Sequence, residues 1–270
     1  PAAVPPMAPR DLPSWQALRQ EWLTRLRAES FSAWPQDSGP LDAQETSDNS
    51  GAVATKTIDF TSEPGLRLRI TVASGESASA TAPVVLHVIG DDRQTYVGRS
   101  AQEVPSGEIW ASFAPRGCDR NWSEENENVR TNFPRRFVLV GTTLDEGRVW
   151  DIRCAVTALR ASLSQERRIV LAARGQAAGL ALYAALFTPE VSELLLDDLP
   201  ASHRAGPTFI NVLRVLDIPQ ALALALPIPV SVHTRDAASF AWASEVAKLY
   251  PGEKLRFVKA SPDPEAGQKP

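Results

Sequence analysis

Short runs of apolar residues recur along the chain from about residue 55, and helical patterns separate the later runs. Residues 56–60 and 66–72 alternate between apolar and polar positions on either side of a turn at 63–65, which predicts a β-hairpin. The later runs are apolar throughout, as in strands that are buried on both faces of a parallel sheet. These predicted strands span residues 84–89, 109–114, 169–173, 194–196, 229–232 and 255–258.

Three stretches between or after these runs show helical spacing. Residues 149–163 and 240–249 repeat apolar side chains at three- and four-residue intervals, and residues 176–187 are apolar almost all round. A hairpin followed by alternating strands and helices predicts an α/β fold, with a mostly parallel central sheet covered by helices.

The first 54 residues follow a different pattern. An amphipathic helix is predicted near the start, with Trp15 and Trp22 on one apolar stripe, and such a stripe favours docking onto another surface. Residues 33–54 are polar and rich in turn-forming residues, which predicts a loop or linker. We therefore expect a helical arm and linker over residues 1–54 and an α/β domain over residues 55–270.

Composition and charge argue against several classes of function. The chain has 270 residues, of which 43% are hydrophobic and 22% charged, as in ordinary globular domains. With a net charge of −4 and no basic stripe, we expect no nucleic-acid partner. No long uncharged apolar run predicts a membrane span. The sequence opens on Pro1 rather than methionine, so we expect a mature or excised piece whose start does not reveal its compartment.

The cysteines and histidines give little support for a metal or a cofactor. Cys118 and Cys154 have no metal-ligand spacing with each other or with the three histidines, and we expect buried thiols rather than a disulfide. No glycine-rich phosphate loop is present, and we expect no bound cofactor and no metal. His203 follows Asp197 and Asp198 closely, so a metal site there is the alternative to simple loop capping.

The strongest chemical signal lies where the 169–173 strand passes into the 176–187 helix. A buried strand that enters a helix through small residues is the setting of a nucleophile elbow, in which the flanking residues must be small. Ala173 and Ala177 occupy the flanking positions, and Gly175 occupies the position of the nucleophile. Glycine tolerates the strained turn but has no side chain to attack a carbonyl. A shifted register would place Ala177 at that position with the same consequence, and a plain strand-to-helix turn is the other interpretation.

The two remaining members of a catalytic triad can be sought independently. Asp236 follows the 229–232 strand and precedes a helix, which fits the acid position and equally fits a helix cap. The general base would be a histidine after the last strand, and no histidine occurs beyond His233. Nucleophile and base act together in acyl transfer, so the absence of both predicts an elbow without that activity.

Backbone donors for an oxyanion would come from the loop at Asp91 and from the N–H of Gln176. The carboxylates of Asp91 and Asp92 beside that loop would oppose a developing negative charge. Trp122 stands next to an acidic run, and an aromatic face flanked by polar groups suits a sugar ring. His203 is a second candidate for substrate contact, or for a displaced base.

Short strings in a fixed order, together with the elbow and Asp236, resemble the acetylxylan-esterase-like α/β hydrolases of large bacterial secreted proteins. The resemblance covers about residues 15–260. It includes Trp34-Pro35, Pro115-Arg116-Gly117, Arg148-Val149-Trp150-Asp151, Ser202-His203 and Gly206-Pro207-Thr208-Phe209. Arg148 and Asp151 lie one helical turn apart, so we expect them to pair.

Such proteins often carry two hydrolase-like halves, and the resemblance implies that the second is degenerate. This chain, with an α/β-hydrolase-like domain expected over residues 55–270, resembles the second. It implies a structural or binding partner of an active hydrolase domain or subunit, with polysaccharide as a candidate ligand. The alternative is an active carboxylic ester hydrolase that acts on acetylated polysaccharide. A small-molecule binding protein that uses the emptied pocket is a third interpretation. The resemblance also suggests a secreted or periplasmic location.

Overall fold

One mixed sheet of nine strands forms the centre of the described part of the chain. The computed structural model describes residues 6–37, 41–48, 54–75, 78–79, 81–90, 104, 107–118, 135–164 and 166–259. The strands are β1 (Gln44–Asp48), β2 (Thr55–Glu63), β3 (Leu66–Ser74), β4 (Val84–Val88), β5 (Ile109–Phe113), β6 (Ile169–Arg174), β7 (Val191–Asp197), β8 (Val230–Thr234) and β9 (Leu255–Lys259).

The sheet has an antiparallel side and a parallel side. Its order is β1-β2-β3-β5-β4-β6-β7-β8-β9. The pairs β1–β2, β2–β3 and β3–β5 are antiparallel, and every pair from β5–β4 to β8–β9 is parallel. The predicted hairpin and the predicted α/β class are therefore confirmed.

Helices lie between and beside the strands. They are α1 (Leu12–Arg25), continued by a π-helical turn (Leu26–Ser30), α2 (135–139), α3 (Leu144–Ser162), α4 (Gln176–Leu186), α5 (Val212–Val215), α6 (Ile218–Leu224) and α7 (Ala241–Ala247), which a 3₁₀ turn (Ala237–Phe240) precedes. Side chains define several starts: Thr143 and Glu146 form a capping box on α3, and Asp217 and Gln220 form one on α6. These caps fix where the connecting loops end.

The strand β1 lies inside the segment that sequence patterning predicts to be a loop or linker, and that prediction is wrong at residues 44–48. All five residues of β1 are exposed, and they pair with β2 at the edge of the sheet. An edge strand with two solvated faces has no hydrophobic periodicity, because backbone hydrogen bonds rather than buried side chains hold it. The signal used to find strands is therefore absent from this one.

The tryptophan stripe of α1 docks onto the same chain. Trp15 is fully buried, and its indole N–H donates to the hydroxyl of Tyr250 over 3.0 Å. The rings of Trp15 and Trp22 both pack against Trp242 of α7, with centroids 5.8 and 5.6 Å apart. The stripe shares one hydrophobic core with the sheet and its helices. The division at residue 54 stays a prediction, but the surface that the stripe requires is supplied internally.

A buried ion pair joins the loop after β5 to α3. Asp151 is fully buried and accepts from the Nη2 of Arg116 over 2.7 Å and from its Nε over 2.8 Å. Burial lowers the pKa of Arg116, but its hydrogen bonds to Asp151 outweigh that effect and raise the pKa above its usual value. The predicted pairing of Arg148 with Asp151 is wrong, since Arg148 pairs with Asp145 over 3.1 Å.

Cys118 and Cys154 are both buried and form no disulfide with each other, as expected. Burial raises the pKa of the Cys154 thiol to about 11, so this side chain stays a neutral thiol at physiological pH.

Candidate functional site

The turn between β6 and α4 has the backbone of an elbow. Gly175 separates the two elements with φ 59° and ψ −132°, a combination outside the regions that residues with a side chain adopt readily. Its N–H donates to the carbonyl of Asp197 in the neighbouring strand β7 over 2.9 Å. The turn occurs at residue 175 and not at 177, so the register with Gly175 at the nucleophile position describes the structure.

Residues that follow three neighbouring strands line one cavity beside this turn. Gly175 follows β6, Asp198 follows β7 and Asp236 follows β8, and the carboxyl ends of parallel strands lie at one edge of the sheet. They line a cavity of about 610 Å³ that we call the elbow pocket. Its wall consists of Gly175, Gln176, Asp198, Leu199, Pro200, Ala201, Ala205, Thr234, Arg235, Asp236 and Phe240. The structure thus brings Gly175, Gln176 and Asp236 together.

Asp236 acts as a cap within the elbow pocket. Its carboxylate accepts from the N–H of Ser239 over 3.3 Å and from the Ser239 hydroxyl over 2.5 Å. These two bonds hold the pKa of Asp236 below its usual range, so the group is an anion at neutral pH. Asp236 therefore caps the 3₁₀ turn and also stands at the position of a triad acid, so the structure is compatible with both interpretations of the sequence.

His203 does not line the elbow pocket, and both of its ring nitrogens are bonded inside the protein. Nδ1 donates to the carbonyl of Pro207, and Nε2 accepts from the hydroxyl of Tyr183, each over 2.7 Å. A carbonyl can only accept, so Nδ1 carries a proton, and in the neutral ring Nε2 is then the acceptor. Burial lowers the pKa of His203 from its ordinary value of 6.5, which keeps the ring in this state.

Ser202, His203 and Asp217 lie close together, but their arrangement is not that of a triad. The carboxylate of Asp217 accepts from the hydroxyl of Ser202 and from the backbone N–H of His203, each over 2.7 Å. The imidazole contacts neither the serine hydroxyl nor the carboxylate through a hydrogen bond. A triad needs the ring between the two groups, so this cluster cannot activate Ser202.

Close packing joins the start of α4 to the segment that borders the pocket. A side chain at Gly179 would overlap the ring of Pro207, and one at Gly206 would lie 3.0 Å from the side chain of Gln176. Gln176 also donates to the carbonyl of Ala205 over 3.4 Å. The small residue at position 179 therefore lets residues 205–207 lie against the helix.

Some sequence candidates lie elsewhere, and some site residues had no signal of their own. Asp91 and Trp122 lie outside the described residues. Thr234 and Arg235 line the elbow pocket without having been predicted, although their position directly after β8 could have indicated it.

Among the described residues, no group of three histidine, cysteine or carboxylate side chains is arranged to hold a metal ion. Measured by length and hydropathy, none of the helices in the described part could span a bilayer.

The fold is similar to that of solved acetyl xylan and glucuronoyl esterases. A candidate acetyl xylan esterase from Bacteroides fragilis matches with a TM-score of 0.69 and 11% identity, over 94% of this chain and 76% of that one. A glucuronoyl esterase from Solibacter usitatus matches with 0.62 and 14%, over 96% and 94% of the two chains. One from Caldicellulosiruptor kristjansonii matches with 0.60 and 15%, over 95% and 86%.

Sequence comparison adds no family. No protein-family model and no curated protein matches the chain. At these identities the structural likeness shows the fold, and the chain has the α/β-hydrolase fold of these esterases.

Proposed function

We propose that this chain is a carbohydrate-esterase-like α/β-hydrolase domain that has lost acyl-transfer activity and acts by binding. The observation that carries the proposal is the elbow, which presents the bare Cα of Gly175 to the pocket where a nucleophile would stand. The chain has three histidines, His87, His203 and His233, and all of them lie in the described part. None of them lines the elbow pocket.

The chemical consequence follows from how a triad works. A hydroxyl attacks an ester only when a base takes its proton, and loss of either group lowers kcat by about 10⁶. Ser239 is the serine nearest to Asp236, but its hydroxyl donates to that carboxylate. A carboxylate whose pKa lies below its usual range is a poor proton acceptor at neutral pH.

The elbow pocket suits a neutral sugar. Its volume of about 610 Å³ lies in the range of small-ligand sites. The carboxylates of Asp198 and Asp236 can accept bonds from sugar hydroxyls, and Gln176 offers an amide. The wall carries these two carboxylates and one guanidinium group, that of Arg235. Its formal charge of −1 disfavours anionic ligands.

The proposal also includes a partner: this domain has a structural or binding role beside an active hydrolase half. It is supported by the sequence resemblance alone. The tryptophan stripe of α1 gives it no support, because Tyr250 and Trp242 already cover that stripe.

Hydrolysis of p-nitrophenyl acetate tests the loss of activity. We expect no turnover above buffer for the wild type or for Gly175→Ser, since the added hydroxyl still lacks a base. Turnover by the wild type that disappears in Asp236→Ala would establish the alternative, an active ester hydrolase. A fluorophosphonate probe gives a second readout, and labelling of Ser202, Ser231 or Ser239 would also overturn the proposal.

Calorimetric titration with xylo-oligosaccharide tests the binding role. We expect heat of binding in the wild type and a loss of affinity in Gln176→Ala, whose side chain lines the elbow pocket. Thr24→Ala is a matched control on α1, outside the pocket wall. Equal affinity in Gln176→Ala and the control would place the sugar elsewhere.

A further inference from the structure

A second cleft lies on the same segment of chain that borders the elbow pocket. It has a volume of about 500 Å³ and is lined only by residues between 203 and 214. Its charged side chains are the exposed Arg204 and Arg214. We call it the arginine cleft. Its formal charge is +2, because the His203 ring at its inner wall is neutral.

No carboxylate in the described part of the chain pairs with these two guanidinium groups. Among the residues that the structure describes, neither Arg204 nor Arg214 forms an ion pair or a side-chain hydrogen bond. Arg25 donates to the backbone carbonyl of Arg214 over 3.1 Å and forms its ion pair with Glu29, over 2.9 Å. The charge of the arginine cleft is therefore available to a ligand.

The carboxylates packed around this segment are already used to hold its backbone. Asp145 accepts from the N–H of Thr208 over 2.8 Å, and Glu146 accepts from the N–H of Ile210 over 2.6 Å. Asp217 accepts from the N–H of His203. These bonds give the cleft a fixed shape, since a backbone held at three points resists rearrangement.

The remaining wall of the arginine cleft is mixed. Pro207, Phe209, Val212 and Leu213 provide carbon surface, and Thr208 provides a hydroxyl. A guanidinium group matches the two oxygens of a carboxylate in a planar fork, and carbon surface favours a ligand with an organic body over a small inorganic ion. A volume of about 500 Å³ suits a small molecule.

We propose that the arginine cleft binds a small organic carboxylate, with Arg204 and Arg214 holding the charged group. This goes beyond the proposed binding of a neutral sugar and does not depend on it, because the two sites share no lining residue. The carboxylate belongs either to a sugar acid or to another organic acid of similar size.

Ligand-observed NMR titration of the full chain tests this proposal with four probes. D-glucuronate and 3-phenylpropionate carry the carboxylate, glucose is the neutral counterpart, and inorganic phosphate is the anion without an organic body. We expect at least one carboxylate to bind at the arginine cleft and glucose to bind there at least about tenfold more weakly, because a charge-assisted bond is lost. Glucose held at the elbow pocket is recognised by an affinity that does not change when both arginines are replaced. Tighter binding of glucuronate assigns a sugar acid, and tighter binding of phenylpropionate assigns another organic acid.

Variants locate the site. Arg204→Gln plus Arg214→Gln should weaken carboxylate binding at least about tenfold, and each single change should have a smaller effect. Arg10→Gln, an exposed arginine outside both cavities, is the matched control and should leave affinity unchanged. Both changes are at the surface, and an unchanged urea midpoint verifies folding.

Four results would overturn the proposal: no carboxylate bound, glucose bound equally well with an affinity that also falls in the double variant, phosphate bound in preference, or carboxylate affinity retained in the double variant. Xylo-oligosaccharide titration of the double variant separates the two proposals. If this variant binds xylo-oligosaccharide as tightly as the wild type does, the elbow pocket does not depend on the two arginines. A negative result for carboxylates would then leave the proposed sugar binding unaffected.

Discussion

The elbow pocket and the arginine cleft share one segment of chain and have opposite charge. Residues 198–201 and 205 line the first, and residues between 203 and 214 line the second. The elbow pocket has a formal charge of −1 and lies where the strands end, whereas the arginine cleft has a charge of +2 and contains no strand residue. Under the two proposals, the elbow pocket has lost its chemistry and the segment beside it provides a separate binding surface of opposite charge.

Removal of the shared anchor should affect both sites and produce the largest change. The Asp217 carboxylate accepts from Ser202 and His203 over 2.7 Å and from Ile218 over 2.8 Å, and it caps α6. Asp217→Ala leaves these donors unsatisfied, so we expect a loss of about 3 kcal/mol in the free energy of unfolding, measured with urea. Both ligand affinities should fall together.

The control for that change is Asp11→Ala. Asp11 caps α1 through one bond to the N–H of Ser14 over 2.8 Å and lies far from both cavities. It should lower stability less and leave both affinities intact. Equal losses for the two variants would contradict the role of Asp217 as a shared anchor.

A change at the elbow should affect one site only. Gly175→Ala places a side chain on a backbone with φ 59° and ψ −132°, so we expect a loss of about 1–3 kcal/mol in unfolding free energy. Carboxylate binding at the arginine cleft should not change. Gly252→Ala is the comparison, because Gly252 also has a positive φ of 71° but borders neither cavity. If Gly175→Ala alters carboxylate affinity, the two sites are coupled.

His203 gives the smallest effect, as a pH dependence. Its pKa is lowered in the folded state, so below about pH 6.5 the unfolded chain binds a proton that the folded chain does not. Stability should therefore fall as the pH drops below that value, by up to about 1.4 kcal/mol per pH unit.

The measurement is urea unfolding at pH 7, 6 and 5 for the wild type and His203→Gln. Contributions from carboxylates are common to both proteins, so the difference between the two slopes isolates this ring. Parallel slopes would mean that His203 takes up its proton in the folded state, and the arginine cleft would then carry a further charge at low pH.

Much of the fold could be predicted because burial leaves a mark in the sequence. The five buried residues of β6 and the apolar helix α4 have no polar positions to interrupt their runs, and the small residues around Gly175 mark the turn between them. The strand β1 left no such mark, since all of its side chains are solvated.

The site was less predictable because its contacts are tertiary. Spacing along a helix suggested that Arg148 pairs with Asp151, but Arg116 reaches that carboxylate from another element. His203 looked available because its partners, Tyr183 and Pro207, are not adjacent to it in sequence. Arg204 and Arg214 belong to no periodic pattern that would mark a shared site. The sequence indicates their positive surface only by the absence of acidic residues between them.

The hydrogen bond from Trp15 to Tyr250 joins residues that lie 235 positions apart. Trp242 of α7 packs against the same Trp15 ring, so α1 and α7 cannot separate without exposing this aromatic cluster to water. We expect the arm and the sheet to melt in a single cooperative transition, seen at one midpoint by both tryptophan emission and circular dichroism, whichever residue is taken as the border between them.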